Sequence, residues 1–366
     1  MKIIISGGGT GGHISPGIAL ADAIIKQDAS NEVLFIGAAG KMEMSLVPAA
    51  GYRIIGLPIR GIARKKVYKN LLWPFFLAKS VWQARRVLKT FQPDVVIGTG
   101  GYASFPTLYV ASCMHIPIIL QEQNAYPGMA NKWLAKYAAK ICVAYENLAT
   151  YFPAHKLVLT GNPVRSLVSL PLIDAGEAYV HFGLTPGIPT VLVLGGSLGA
   201  STLVDCILEA QQLFANQQIQ VLMAVGKAYF EQLRKMDIYV TLPHLKIIPY
   251  IDRMELAFAA ATIIVSRAGA ITMAEMAIAK KPVILVPSPY VAADHQTKNA
   301  LPWLRAGAAL VIQEAAIAQD LVPTIIDLIH NEAQQHALKT NLAKQAKPHA
   351  VDAILSTIQQ VIHQPY

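Results

Sequence analysis

Charge is scarce in this chain. Asp, Glu, Lys and Arg make up 14% of its 366 residues, against 54% hydrophobic residues. That balance excludes a disordered protein and fits an α/β fold whose parallel strands are buried on both faces. Cysteine is scarcer still. Cys113, Cys142 and Cys206 are odd in number and far apart, which argues against a disulfide framework or a thiolate metal site and reads as buried apolar filling in a reducing compartment. No Asp-x-Asp pair occurs, so the carboxylates that commonly hold a nucleotide diphosphate through a divalent metal are missing. There is no uninterrupted apolar run of membrane-spanning length. Val95–Gln121 lacks formal charge but is broken by Gly98-Thr99-Gly100-Gly101, Pro106 and Pro117, and reads as strand, turn, helix and strand in a core. The sequence enters a strand at once, so no signal peptide is expected. RNP, zinc-finger and helix-turn-helix signatures are absent. The net charge of +9 therefore favours a nucleotide sugar or an anionic membrane surface over nucleic acid as partner.

What is present is a strand–glycine–helix unit written twice. Lys2–Ser6 runs into Gly7-Gly8-Gly9-Thr10-Gly11-Gly12-His13, and Thr190–Leu194 runs into Gly195-Gly196-Ser197-Leu198-Gly199. Each arrangement presents bare backbone N–H groups and a helix N-terminus to an anion. The length is comfortable for two domains. Further strands are expected at Val33–Ile36, Val95–Gly98, Ile116–Leu120, Lys140–Ala144, Ile219–Val225, Leu245–Pro249, Thr262–Val265, Pro282–Val286 and Ala309–Ile312. Helices are expected after the first glycine loop, at Ile271–Ala279, at about Gln296–Ala306 and over Val351–Ile362. Asn162-Pro163 marks a boundary, and the weakly periodic Ser166–Ala178 is taken as the linker. The domains expected are 1–163 and 164–349, with the tail helix 350–366 packing back on the first.

The first glycine loop lacks the Lys-Ser/Thr of a Walker A loop. The second strand ends in Gly37-Ala38-Ala39, without the acid that would hold a dinucleotide ribose. The loop still carries more glycine than a ligand-free turn needs. His13 stands at the head of the first helix, where the dipole disfavours imidazolium and leaves a neutral ring able to accept a proton; a structural role is the competing account. Ala270, Ile271 and Thr272 offer N–H groups at another helix start. Glu275, placed in its first turn, is either a helix-stabilising acid or a carboxylate for ribose hydroxyls. Glu122-Gln123-Asn124 follows a strand at its carboxyl end, where α/β ligands bind. Asp294-His295-Gln296-Thr297 reads alone as a helix cap. Basic residues beside aromatics over Arg64–Arg86, including Leu71–Leu77 and Trp82, fit an anionic bilayer surface or a core helix with a solvated basic flank.

Together these motifs resemble one family, the bacterial undecaprenyldiphospho-muramoylpentapeptide β-N-acetylglucosaminyltransferases, or MurG family. The pieces are Gly8-Gly9-Thr10-Gly11-Gly12-His13, Gly100-Gly101-Tyr102, Glu122-Gln123-Asn124, Asn131–Ala135, Gly161–Arg165, Gly195-Gly196-Ser197, Arg267-x-Gly269-Ala270, and Asp294-His295-Gln296 with Asn299-Ala300, in order over nearly the whole chain. The resemblance implies a GT-B fold: two Rossmann-like domains whose parallel sheets face across a cleft. It implies transfer of GlcNAc from UDP-GlcNAc to the C4 hydroxyl of MurNAc in lipid I, with inversion, without a metal or other cofactor, by a peripheral enzyme on the cytoplasmic face of the inner membrane. Cell-wall synthesis proteins are implied partners. Ile251 would meet uracil through its backbone and Glu275 the ribose. Ser197, Ala270, Ile271 and Thr272 would meet the diphosphate, with Met273 and Ala274 beside them. Gln296, Asn124 and Arg165 would contact the sugar, and Thr10, Gly11 and Gly12 would close from the first domain. His13, Tyr102, Glu122 and Asn124 would face the acceptor, with His13 the first candidate base and Glu122 the second. Two residues depart from the family pattern: Leu198 stands where Gln is frequent, and Gln121 where His is common. Competing readings are another GT-B enzyme (a diacylglycerol galactosyltransferase or a UDP-GlcNAc 2-epimerase), a non-catalytic nucleotide-sugar subunit and an NAD-dependent oxidoreductase, the last disfavoured by the missing acid after Ile36.

Overall fold

The computed structural model describes residues 1–62, 70–165, 173–195, 201–235 and 244–363. Up to Arg165 the order is β1 (Lys2–Gly7), α1 (Gly11–Gln27), β2 (Glu32–Ala38), α2 (Glu43–Ala49), β3 (Arg53–Leu57), α3 (Trp73–Phe91), β4 (Val95–Gly100), α4 (Phe105–Cys113), β5 (Ile118–Glu122), α5 (Met129–Leu134), β6 (Lys140–Val143) and β7 (Leu157–Leu159). Then follow α6 (Ala175–Phe182), β8 (Thr190–Leu194), α7 (Ser201–Glu209), α8 (Gln211–Asn216), β9 (Gln220–Ala224), α9 (Lys227–Lys235), β10 (Leu245–Ile248), α10 (Met254–Ala260), β11 (Ile263–Ser266), α11 (Ala270–Ala279), β12 (Val283–Leu285), α12 (His295–Arg305), β13 (Leu310–Val311), α13 (Val322–His330), α14 (Glu332–Gln345) and α15 (Ala350–His363). The chain divides into two units, Met1–Arg165 with Lys347–Tyr366, and Ser166–Ala346.

In the first unit seven parallel strands run in the order β3-β2-β1-β4-β5-β6-β7. Chain direction across the sheet reverses between β1 and β4, the switch point outside whose carboxyl ends doubly wound folds bind ligands. Ile3, Ile4 and Ile5 are fully buried, because helices cover both faces and alternate residues meet different cores. On one face Ile3 and Ile5 pack with Ile14, Ile18 and Ile24 of α1 and with Ile354, Ile358 and Val361 of α15. In the second unit six parallel strands run β10-β9-β8-β11-β12-β13, with the corresponding switch between β8 and β11.

Three expectations are corrected. The stretch taken as linker reaches into α6, because Asp174 accepts the Gly176 N–H as N-cap and Gly183 ends the helix in a left-handed conformation (φ 61°); its other part, 166–172, lies outside the described residues. Arg53–Leu57 is a strand where none was expected. It is an edge strand, half-buried along most of its length, so its apolar signal is weak. Cys113 is exposed at the end of α4, not a buried filler; Cys142 is buried, and its thiol is pushed up to about 12 by that burial.

Candidate active site

In the first unit the switch point brings the β1–α1 loop against the β4–α4 turn. The ladder between β1 and β4 breaks between Ser6 and Gly7, and the Gly8 N–H donates to the Gly100 carbonyl at 3.3 Å. This sets His13 beside the Gly100-Gly101 turn. His13 Nδ1 lies 3.1 Å from the Gly8 carbonyl oxygen and 3.1 Å from Thr10 Oγ1. A carbonyl only accepts, so its contact assigns the proton to Nδ1 and leaves Nε2 as the basic nitrogen of the neutral ring. Gly101 holds φ at 80°, and a Cβ there would overlap the Gly8 oxygen and lie 3.0 Å from His13 Nδ1. Only glycine fits that position. Tyr102 covers the loop: a Cβ on Gly9 would lie 3.1 Å from its ring. Burial first, and the charge of Glu43 second, hold the Tyr102 phenol above its ordinary range.

Glu122 is placed differently from the base expected second. Glu122 is 2% exposed, and its carboxylate accepts four N–H bonds from the β5–α5 connection and the start of α5: Asn124 N at 3.1 Å, Asn124 Nδ2 at 3.2 Å, Gly128 N at 3.0 Å and Asn131 Nδ2 at 2.8 Å. A carboxylate so occupied organises the β5–α5 connection and orients Asn124. Gln121, where the family often has His, is fully buried and donates to Asn162 Oδ1 at 3.0 Å. Arg165 is not brought to the His13 loop. Its Nε pairs with Asp22 Oδ2 at 3.1 Å on the exposed flank of α1, nine residues along the helix from His13. Thr10 and Gly12 are exposed and Gly11 is half-buried at the mouth of the loop.

In the second unit the β11–α11 turn lies at the switch point. Gly269 occupies the N-cap position of α11 and has no side chain with which to cap it; a helix start of this kind at a switch point is where α/β folds hold anions. Two buried side chains brace the turn. Arg267 pairs with Glu314 through both guanidinium nitrogens and donates to the Val286 carbonyl at 3.1 Å; Asn299 of α12 donates to the Ala268 carbonyl at 3.3 Å. Glu275 is the sixth residue of α11 and therefore not in its first turn. It is half-buried, and burial alone pushes its carboxyl up to about 7. Among the described residues no cation or hydrogen-bond donor is placed against it. Ala270 is buried, and Ile271, Thr272 and Ala274 are half-buried. Met273 packs its side chain into the core, which leaves only its backbone for a ligand.

Ile251 is also buried, in the connection between β10 and α10. Gln296 accepts the Ser288 N–H at 2.8 Å. Asp294 occupies the N-cap position of α12, as the sequence suggests, but without the usual cap bond. Its backbone is left-handed (φ 51°) and makes no side-chain cap bond, and its carboxylate accepts the Thr297 hydroxyl at 2.8 Å. Ser197 and Leu198, with the rest of residues 196–200, lie outside the described residues, as do Arg64–Lys69 of the basic stretch.

A residue that the sequence reading missed is Glu43. It is fully buried, and its carboxylate accepts the Gly9 N–H at 3.1 and 3.2 Å and the Ala38 N–H at 2.9 Å. The missing side chains of Gly8 and Gly37 make room for it: a Cβ on Gly37 would lie 2.7 Å from Glu43 Cγ, and one on Gly8 would overlap the carboxylate. Glycines at the ends of both β1 and β2 were the available signal.

Two Rossmann-like units, each with a glycine turn at its switch point, are the architecture of the GT-B class. The model of the glycosyltransferase family 28 N-terminal domain matches residues 3–143, and that of the family 28 C-terminal domain matches residues 190–354. The chain is 54% identical to the UDP-N-acetylglucosamine–N-acetylmuramyl-(pentapeptide) pyrophosphoryl-undecaprenol N-acetylglucosamine transferase of Amoebophilus asiaticus, over 99% of this chain and 100% of that one. It is 44% identical to the protein of the same name from Parabacteroides distasonis, over 99% and 98%. The crystal structure of Acinetobacter baumannii MurG superposes with a TM-score of 0.74 at 27% identity, covering 98% of this chain and 99% of that one. The chain belongs to glycosyltransferase family 28, among its MurG transferases.

Proposed function

We propose that this enzyme transfers N-acetylglucosamine from UDP-N-acetylglucosamine to the C4 hydroxyl of the N-acetylmuramyl residue of an undecaprenyl-diphosphate-linked muramyl pentapeptide, inverting the anomeric centre. The observation that carries the substrate pair is the 54% identity along the full length of a transferase of that name. In the reaction the acceptor oxygen bonds to the donor C1 as the bond from C1 to the β-phosphate oxygen breaks, and UDP departs with the electron pair. The C4 hydroxyl proton passes to His13 Nε2, a role supported by the Nδ1 contact with Gly8. Charge developing on UDP meets the first turn of α11 and the Gly195–Ser197 loop. Glu275 accepts from the ribose hydroxyls, which supply the donors its carboxylate lacks. Ile251 meets the uracil, and Gln296 and Asn124 the transferred sugar. Tyr102 and the Thr10–Gly12 loop line the acceptor side.

The enzyme works as a peripheral protein on the cytoplasmic face of the membrane that holds its lipid acceptor. No helix among the described residues is long and apolar enough to cross a membrane. The attachment surface in this reading is the start of α3 with the residues before it, where Leu71, Leu72, Phe75 and Trp82 are exposed and Arg86 lies 5.0 Å over the Trp82 ring. Incubation with UDP-N-acetylglucosamine and a lipid-linked muramyl-peptide analogue in EDTA tests the reaction. β-Linked disaccharide product is expected. Release of UDP-ManNAc, or glycosylation of diacylglycerol instead, would replace the reading.

A further inference from the structure

One peptide group joins Glu43 to His13. The amide between Gly8 and Gly9 presents its N–H to the Glu43 carboxylate at 3.1 and 3.2 Å and its C=O to His13 Nδ1 at 3.1 Å. Glu43 is fully buried, its two backbone donors are Gly9 and Ala38, and among the described residues no cation pairs with it. Leaving a carboxylate buried without a counter-charge opposes folding, and chain folding alone does not require an acid here: a neutral side chain of the same shape would also fill the space under Gly8 and Gly37. A negative charge on the N–H side of an amide draws electron density toward its oxygen, because hydrogen bonds in series polarise one another. The Gly8 oxygen thereby becomes a stronger acceptor for Nδ1–H. A carboxylate placed directly on the distal nitrogen of a histidine fixes the tautomer and raises the basicity of the other nitrogen.

We infer that Glu43 is a positioning residue of the transfer reaction, acting through the Gly8–Gly9 peptide to hold His13 as the Nδ1–H tautomer and to strengthen Nε2 as a base. The inference rests on the reading of His13 as the base. Two acid–base groups flank the loop, Glu43 from α2 and Tyr102 from the β4–α4 turn, and only Glu43 is bonded to it in this way. Tyr102 covers Gly9 with its ring.

The test is a double-mutant cycle with Glu43→Gln and His13→Ala, read as kcat, KM for UDP-N-acetylglucosamine and the pH–kcat profile on the lipid-linked analogue. Gln keeps the shape and removes the charge. The single Glu43→Gln variant is expected to lose kcat by on the order of tenfold with little change in donor KM. Its acid limb should move to lower pH, since the imidazolium loses a stabilising charge. In the His13→Ala background, adding Glu43→Gln should change the residual kcat no further. Equal losses in both backgrounds, or an unshifted profile in the single variant, would overturn the inference and leave Glu43 a loop brace. His13→Ala at wild-type rate would instead sink the base reading, and with it this extension. Nitrogen-15 spectra of wild-type enzyme labelled in histidine, assigned by loss of the His13 signal on substitution, give a readout that does not depend on variant folding. Neutral His13 must be the Nδ1–H form; an Nε2–H form would end the proposal.

Discussion

Arg267 and Glu314 form a two-point ion pair behind the β11–α11 turn, with side chains 10% and 14% exposed. The pair fixes the turn that presents α11 to the donor diphosphate in the proposed mechanism. Breaking it from one side leaves a buried charge unpaired. Glu314→Ala should destabilise the second unit by about 3–5 kcal/mol, and the loss should appear in denaturant titration as a lower midpoint at unchanged slope. At temperatures where the variant stays folded, KM for UDP-N-acetylglucosamine should rise.

His13→Ala should lower kcat by roughly 10²–10⁴-fold, while calorimetric affinity for UDP-N-acetylglucosamine stays near wild type. In the mechanism the uracil, ribose and diphosphate are held by the second unit, so the loss should fall on the chemical step. A kcat within threefold of wild type, on the order of 0.6 kcal/mol in barrier, removes His13 from the mechanism.

Glu275 links pH to both stability and binding. Its carboxyl is raised from 4.5 to about 7 in the folded chain, so between those values the folded state binds the proton that the unfolded state has lost. Its contribution therefore opposes folding increasingly as pH rises through this window and is constant above it. Glu275→Gln should flatten the fall of Tm between pH 4.5 and 7 and raise stability at pH 8 by on the order of 2 kcal/mol. Ribose hydroxyls donate best to the ionised form, so donor affinity of the wild type should climb through about pH 7, and the Gln variant should lose that climb. A flat affinity profile in the wild type contradicts the ribose assignment.

The exposed apolar side chains of Leu71, Phe75 and Trp82 should carry membrane attachment. Replacing all three by Glu should reduce co-sedimentation with vesicles containing anionic phospholipid, while turnover of a short-chain, water-soluble acceptor analogue persists. Loss of turnover on the soluble analogue with vesicle binding intact would assign this face to the acceptor instead.

The strands that lead into the two glycine runs were legible because a buried parallel strand is a continuous apolar run, and β1 and β8 are such runs. The edge strand β3 was not, because exposed Arg53 and half-buried Ile54, Ile55 and Gly56 carry little contrast. The His13 loop was legible as a loop, but its brace was not. Glu43 lies thirty-four residues from Gly9, and beside Lys41 and Met42 a glutamate reads as a surface residue until folding buries it. Glu122 was legible only in part, for the opposite reason. A carboxylate at the carboxyl end of a strand reads as chemistry, and only the positions of Asn124, Gly128 and Asn131 show that its lone pairs are occupied.

The place of α15 also bears on the order in which the two units can complete their folding. Ile354, Ile358 and Val361 fill the same core as Ile3, Ile5, Ile14 and Ile18, yet they leave the ribosome after the whole of the second unit. The second unit has its own sheet and core and is synthesised as one continuous stretch, so it can fold while translation continues. The first unit, begun first, must wait with an open apolar face for its last helix. A nascent chain halted before residue 350 therefore exposes the side of α1 that α15 covers.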